Sequence, residues 1–261
     1  MSENTSLNVR KLLAHIETFA SSELAEEWDN IGLMAGDYNA EVKRVGICLD
    51  AVSEAVIEAD NHGCEVLLCH HPLIFRPLKN ICVNYYQGRT IYEAVKRNVN
   101  IIAAHTNWDK AEEGVNTALS SLLGLVKAKP FNATAFGFHG VMPESMNLKD
   151  FLEHVKISWG LSRLDIYANN LPESISRVAL CGGSGAEFWK LAVNRRADIY
   201  ITADMKYHEL IDATRAGLVI ALADHGEMER ASLPKLAEKI SECGAETVIL
   251  NVKALSSPLR I

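Results

Sequence analysis

Between residues 7 and 20 (LNVRKLLAHIETFA), Val9, Leu12, Leu13, Ile16 and Phe19 recur at helical spacing, which predicts a helix with one apolar stripe. His15 falls beside that stripe and is expected to be structural or exposed. Further on, RVGICLD (44–50) predicts a strand, SEAVIEADNHG (53–63) a helix closed by Gly63, and CEVLLC (64–69) a continuous apolar strand. Strand, helix and buried strand in succession predict a βαβ unit.

The same order recurs in RVALC (177–181), AEFWKLAVNRR (186–196) and ADIYIT (197–202). Arg177 stands 133 residues after Arg44, and Cys181 stands the same distance after Cys48. IIAAHTNWD (101–109) resembles VIALADHGEMER (219–230): an apolar strand runs into His105 or His225, and a carboxylate, Asp109 or Glu229, follows four residues later. This second pair has an offset of 120, so the first copy holds 13 extra residues, best placed as a loop insertion in 72–88. The expected fold class is therefore α/β, with two related lobes from an internal duplication. The expected division is 1–126 (N-terminal helix and first lobe), 127–174 (a structured connecting segment) and 175–261 (second lobe). Within the connector, FGFHGVMP predicts a strand and turn, and NLKDFLEHVKISWG a helix with an Asn cap and a closing Gly.

Composition changes this picture little. Apolar residues make up 48% of the 261 and charged residues 23%, ordinary for a chain that buries a sizeable core. The net charge of −7 supplies no general basic field, so nucleic acid is not an expected partner. No run approaches the about 18 apolar residues needed to cross a bilayer, and SENTS lacks the pattern of a secretory signal, so a cytoplasmic protein is expected. Six scattered cysteines without a CxxC pair suggest buried apolar residues rather than disulfides or thiolate zinc.

The strongest chemical signal is CHHPLIF (69–75), where His70 and His71 end a buried strand and Pro72 halts regular pairing. Strand ends are where open α/β folds build their sites. With Asp109, His225 and Glu229 they form an expected set of five metal ligands, imidazoles and carboxylates without thiolate. Such a set suits zinc, manganese, iron or nickel. Two divalent ions would outweigh the two carboxylates, so a phosphate-bearing or enolate-like small molecule would suit the site, with a phosphate-bearing one the expected ligand. His105 is a candidate for supporting a ligand from behind, for a general acid or base, or for a hydrogen-bonded structural histidine. Asp204, His208 and Asp212 lie four apart and would share a helix face, as a site or a solvated stripe. CGGSG (181–185) could cradle a phosphate at a helix start or form a plain tight turn; the third spaced glycine of a dinucleotide fingerprint is missing.

EEWDNIGLMAGD (26–37), HHPLIF (70–75), HTNWD (105–109), GGSG (182–185) and DHGEMER (224–230), in that order along nearly the whole chain, resemble the NIF-three-like family, also named type 2 GTP cyclohydrolase I homologues. The resemblance implies a two-lobed α/β fold, a toroidal homohexamer and a dinuclear metal site that maps onto His70, His71, Asp109, His225 and Glu229 in the cleft of the lobes. Departures from the family pattern are Asp224 and Met228 in the late motif and Ala203 where a glycine is usual. The implied activity is metal-dependent hydrolysis of a nucleotide or related ring. The alternative is a regulatory or scaffold protein with a structural or ligand-sensing metal site.

Overall fold

The computed structural model describes residues 6–132 and 137–255; most of SENTS and Phe136 lie outside them. The chain divides into two compact units, Met1–Trp108 with Leu233–Ile261, and Asp109–Ser232. The first unit begins with α1 (Val9–Phe19), β1 (Gly32–Ala35), β2 (Arg44–Asp50), α2 (Ser53–Asn61), β3 (Val66–His71), α3 (Tyr86–Arg97) and β4 (Asn100–Ala103). After α4 (Thr106–Lys110), the second unit holds α5 (Val115–Leu122), β5 (Val126–Pro130), β6 (Phe138–Asn147), α6 (Leu148–Trp159), β7 (Leu164–Tyr167) and β8 (Ser174–Leu180). It continues with α7 (Trp189–Asn194), β9 (Ile199–Thr202), α8 (Tyr207–Arg215), β10 (Val219–Ala223) and α9 (His225–Arg230). The chain then returns to the first unit for α10 (Leu233–Ser241) and β11 (Glu246–Ile249).

The first sheet runs β1-β4-β3-β2-β11, with β4, β3, β2 and β11 parallel and β1 antiparallel at the edge. Burial on both faces explains why β3 reads as an uninterrupted apolar run: Val66 to His70 are all buried. On α1, Val9, Leu12 and Ile16 are buried, each contributing about 1.5–3 kcal/mol of hydrophobic stabilisation. His15 is structural, its Nε2 lying 2.7 Å from the Lys239 carbonyl of α10.

The second sheet runs β5-β6-β8-β9-β10-β7. Its β8, β9 and β10 are parallel and β7 is antiparallel at the far edge, so β7-β10-β9-β8 repeats the order and directions of β1-β4-β3-β2. The duplication extends to register: Val45 faces Val66 and Val178 faces Ile199, both pairs 133 residues apart between copies. The extra residues of the first copy fall after β3, where 72–85 intervene before α3, against only 203–206 between β9 and α8.

The division into 1–126, 127–174 and 175–261 needs correction at two places. Residues 127–174 are not a separate connector, because β6 pairs along β8 and β7 along β10 within the second sheet. Residues 233–261 belong with the first unit, because β11 supplies the parallel partner for β2 while α10 buries Leu233, Leu236, Ala237 and Ile240. The helix reading of that connector matches, since α6 carries Asn147 as its cap, accepting from the Asp150 amide, and Gly160 closes it with φ 65°. The turn expected at the end of FGFHGVMP is absent, because β6 runs on through Met142 and Pro143 to Asn147. The segment 186–196 is broken into a 3-10 turn and the shorter α7. All six cysteines are free thiols, four of them buried.

Candidate metal centre

Within the first unit, parallel pairing fixes the histidines at the C-terminal ends of β3 and β4. Asp50, the last residue of β2, is paired in register with His71, the last of β3. His71 Nδ1 donates to Asp50 Oδ1 at 2.8 Å. His70 is buried, and its Nδ1 donates to the Ala104 carbonyl at 3.0 Å. His105 follows β4 and donates from Nδ1 to Asp29 Oδ1 at 2.8 Å. Burial pushes the Asp29 carboxyl up, but hydrogen bonds from His105 and Thr106, with the charge of His105, outweigh it and hold the group near about 2. A carbonyl or ionised carboxylate can only accept, so each neutral ring carries its proton on Nδ1 and its lone pair on Nε2. One ring nitrogen from each of His70, His71 and His105 lies within 4.8 Å of the others, a spacing that could hold a metal ion.

Within the second unit, His225 opens α9 and Glu229 follows one turn later, with His225 Nε2 3.1 Å from Glu229 Oε2. His225 Nδ1 donates to Asp204 Oδ2 at 2.5 Å, and Ser184 Oγ donates to the same oxygen at 2.8 Å. Burial lowers the His225 pKa, but Glu229 and Asp204 overcome that and raise it to about 9. Asp204 is lowered, its burial outweighed by His225 and Ser184. Asp109 and Glu229 are both buried carboxylates, and their oxygens approach within 4.8 Å. Two such groups repel unless a proton or cation stands with them. Burial, reinforced by the charges of Asp109 and Glu229, pushes the neighbouring Cys181 thiol well up, which favours its neutral form.

Sequence reasoning found the histidines and acidic ligand candidates but missed their supports Asp29, Asp50 and Asp204. The stripe of Asp204, His208 and Asp212 does not exist as one helix face: α8 starts only at Tyr207, and Asp204 precedes it in a left-handed conformation (φ 55°). His208 and Asp212 are exposed. The glycine loop is shaped by close approach: Gly183 has φ +65°, and a β-carbon there would overlap Glu229 Oε1. The Gly182 amide is taken by Asn116 Oδ1 and the Gly185 amide by Thr202 Oγ1, so these two donors serve the loop itself.

Two copies of a parallel α/β core with imidazoles and carboxylates at the strand ends define an α/β protein whose donor sets fit a hard or borderline divalent ion. The sequence matches the model of the Duf34/NIF3 (NGG1p interacting factor 3) family over residues 7–258. The chain belongs to that family. A relative from Clostridium perfringens, named GTP cyclohydrolase 1 type 2 homolog, is 34% identical over 90% of this chain and 92% of its own length. NIF3-like protein 1 of Drosophila melanogaster is 27% identical over 88% of this chain and 82% of its own. Among solved structures, a Bacillus cereus protein related to NIF3 superposes with TM-score 0.90 at 24% identity, covering 97% of this chain and 99% of that one. Reduced HcgD from Methanocaldococcus jannaschii gives 0.82 at 28%, covering 95% and 99%. No helix among the described residues is long and apolar enough to cross a membrane.

Proposed function

We propose that this protein is a metal-dependent hydrolase acting on a nucleotide or related ring, holding two divalent ions through His70, His71, Asp109, His225 and Glu229. The observation that carries this reading is the shared support of the histidines: His71, His105 and His225 each give Nδ1–H to a carboxylate, and His70 to a carbonyl. That pattern is the usual outer support of metal-ligating imidazoles. When bound, such ions acidify a coordinated water and polarise an electrophile.

The residues of the chain then divide the work. Asp50 and Asp204 orient the rings of His71 and His225. His105, outside the five, is the proton carrier: Asp29 fixes its tautomer and steadies the charged ring, so Nε2 can accept a proton from a nucleophile and return it to a leaving group. A cavity of about 700 Å³, lined in part by Asp50, His71, Tyr85, Tyr86 and Arg89, has the volume for a nucleotide-sized ligand. Its tyrosines suit a planar ring and Arg89 a phosphate. The relatives named for GTP cyclohydrolase support the substrate class. The toroidal homohexamer is part of the same proposal, checked by the mass of the assembly in solution.

The test is turnover of a nucleotide panel by metal-loaded protein, with His105→Ala as control. Hydrolysis that His105→Ala loses while keeping its metal supports the reading. No turnover, or equal turnover in the variant, overturns it. A second reading, a regulatory protein whose metal site is structural or ligand-sensing, is favoured by the interacting-factor description of the family. It predicts metal-dependent stability and partner capture without turnover.

A further inference from the structure

The chain carries a net charge of −7, yet a concavity of about 280 Å³ on the second unit is lined by Lys127, Lys129, His139, Arg177 and Arg195 with no carboxylate among its lining residues. Four elements deliver these groups: β5 the lysines, β6 His139, β8 Arg177, and the turn after α7 Arg195. Arg177 donates to Asp198 Oδ1 at 2.9 Å and Arg195 to the Phe131 carbonyl at 3.0 Å. Neither lysine enters an ion pair among the described residues. Of four cations, then, one is offset by a carboxylate.

β5 is an edge strand, and edge lysines discourage pairing with another chain. That accounts for Lys127 and Lys129 but not for two arginines and a histidine converging on them from elsewhere. Burial lowers the His139 pKa, and the charges of Arg195 and Lys129 lower it further, so the ring is a neutral partner in a positive field. A concave surface of one sign concentrates the opposite ion, and guanidinium forks match phosphate oxygens.

We propose that this concavity is a binding site for a small phosphate-bearing anion, separate in its residues from the candidate metal centre. Lys127 and Lys129 supply unengaged charge, Arg177 and Arg195 direct N–H groups, and His139 a neutral donor. Free phosphates and the phosphate tail of a nucleotide share this chemistry.

The test is calorimetric titration of the intact, metal-stripped protein with inorganic tripolyphosphate, a nucleoside triphosphate and the bare nucleoside. The expected result is saturable binding of both phosphate compounds, with tripolyphosphate binding unaffected by excess nucleoside. Affinity falls by about tenfold or more in Lys129→Ala/Arg195→Ala, since each charged hydrogen bond lost has that order of effect. Lys129→Arg keeps it. The His139 ring resonances shift on binding, and their titration midpoint moves up as the anion offsets Arg195 and Lys129. All the substituted cations are exposed, so the fold tolerates the changes. Tripolyphosphate binding kept in the double variant overturns the proposal, as does absence of saturable binding. So does a DNA oligonucleotide that binds far more tightly than tripolyphosphate, which would make the partner a nucleic acid.

Discussion

Asp50 Oδ1 accepts from His71 Nδ1 at 2.8 Å, and the two residues stand side by side because β2 and β3 pair them in register at their last positions. Backbone hydrogen bonding thus sets the direction of a candidate ligand. Removing the carboxylate by Asp50→Ala leaves the ring in place but frees its rotation and tautomer. Metal affinity is expected to fall about 10–100-fold with the fold intact. Competition with a chelating dye measures it, and an unchanged affinity would mean His71 does not bind metal through Nε2.

A second prediction concerns pH in the metal-stripped protein. The folded pKa of His225, about 9, lies above its ordinary 6.5. Its protonated form therefore stabilises the fold fully below about pH 6.5, and that contribution is lost as pH rises through about 9. Asp204 acts in the opposite sense: its lowered pKa gives stability above the ordinary carboxylate range, lost as pH falls through the folded value. Urea midpoints at about pH 6 and about pH 9.5 should show a decline that His225→Gln removes. A decline of equal size in that variant would place its cause elsewhere.

Gly183→Ala is expected to displace the Glu229 carboxylate, whose Oε1 occupies the space of the new β-carbon. The left-handed backbone adds a cost of about 1–2 kcal/mol. Because the overlapped atom is the end of a side chain, the fold should survive while metal content drops. Elemental analysis beside circular dichroism separates the two effects, and a folded variant with full metal content would remove Gly183 from the account.

Much of the first sheet was legible because its signals are local. Val66 to Cys69 form an unbroken apolar run, and His70-His71-Pro72 marks where it ends. The duplication was legible because Val45 and Val178 keep one offset through strand, helix and strand. Supports of the histidines were not, since Asp29 reaches His105 across 76 residues and no periodicity ties them. Asp204 departs from the expected helix face for a physical reason: spacing of four suggests such a face, but α8 begins after it. The return of β11 to β2 was hidden as well, because 233–249 reads as a helix and strand wherever it docks.

The most direct measurement is metal content per chain in the wild type, His71→Ala and Glu229→Ala, purified under identical metal loading. The account predicts two divalent ions per chain in the wild type and a clear loss in each folded variant. Two ions per chain retained in both variants would contradict it.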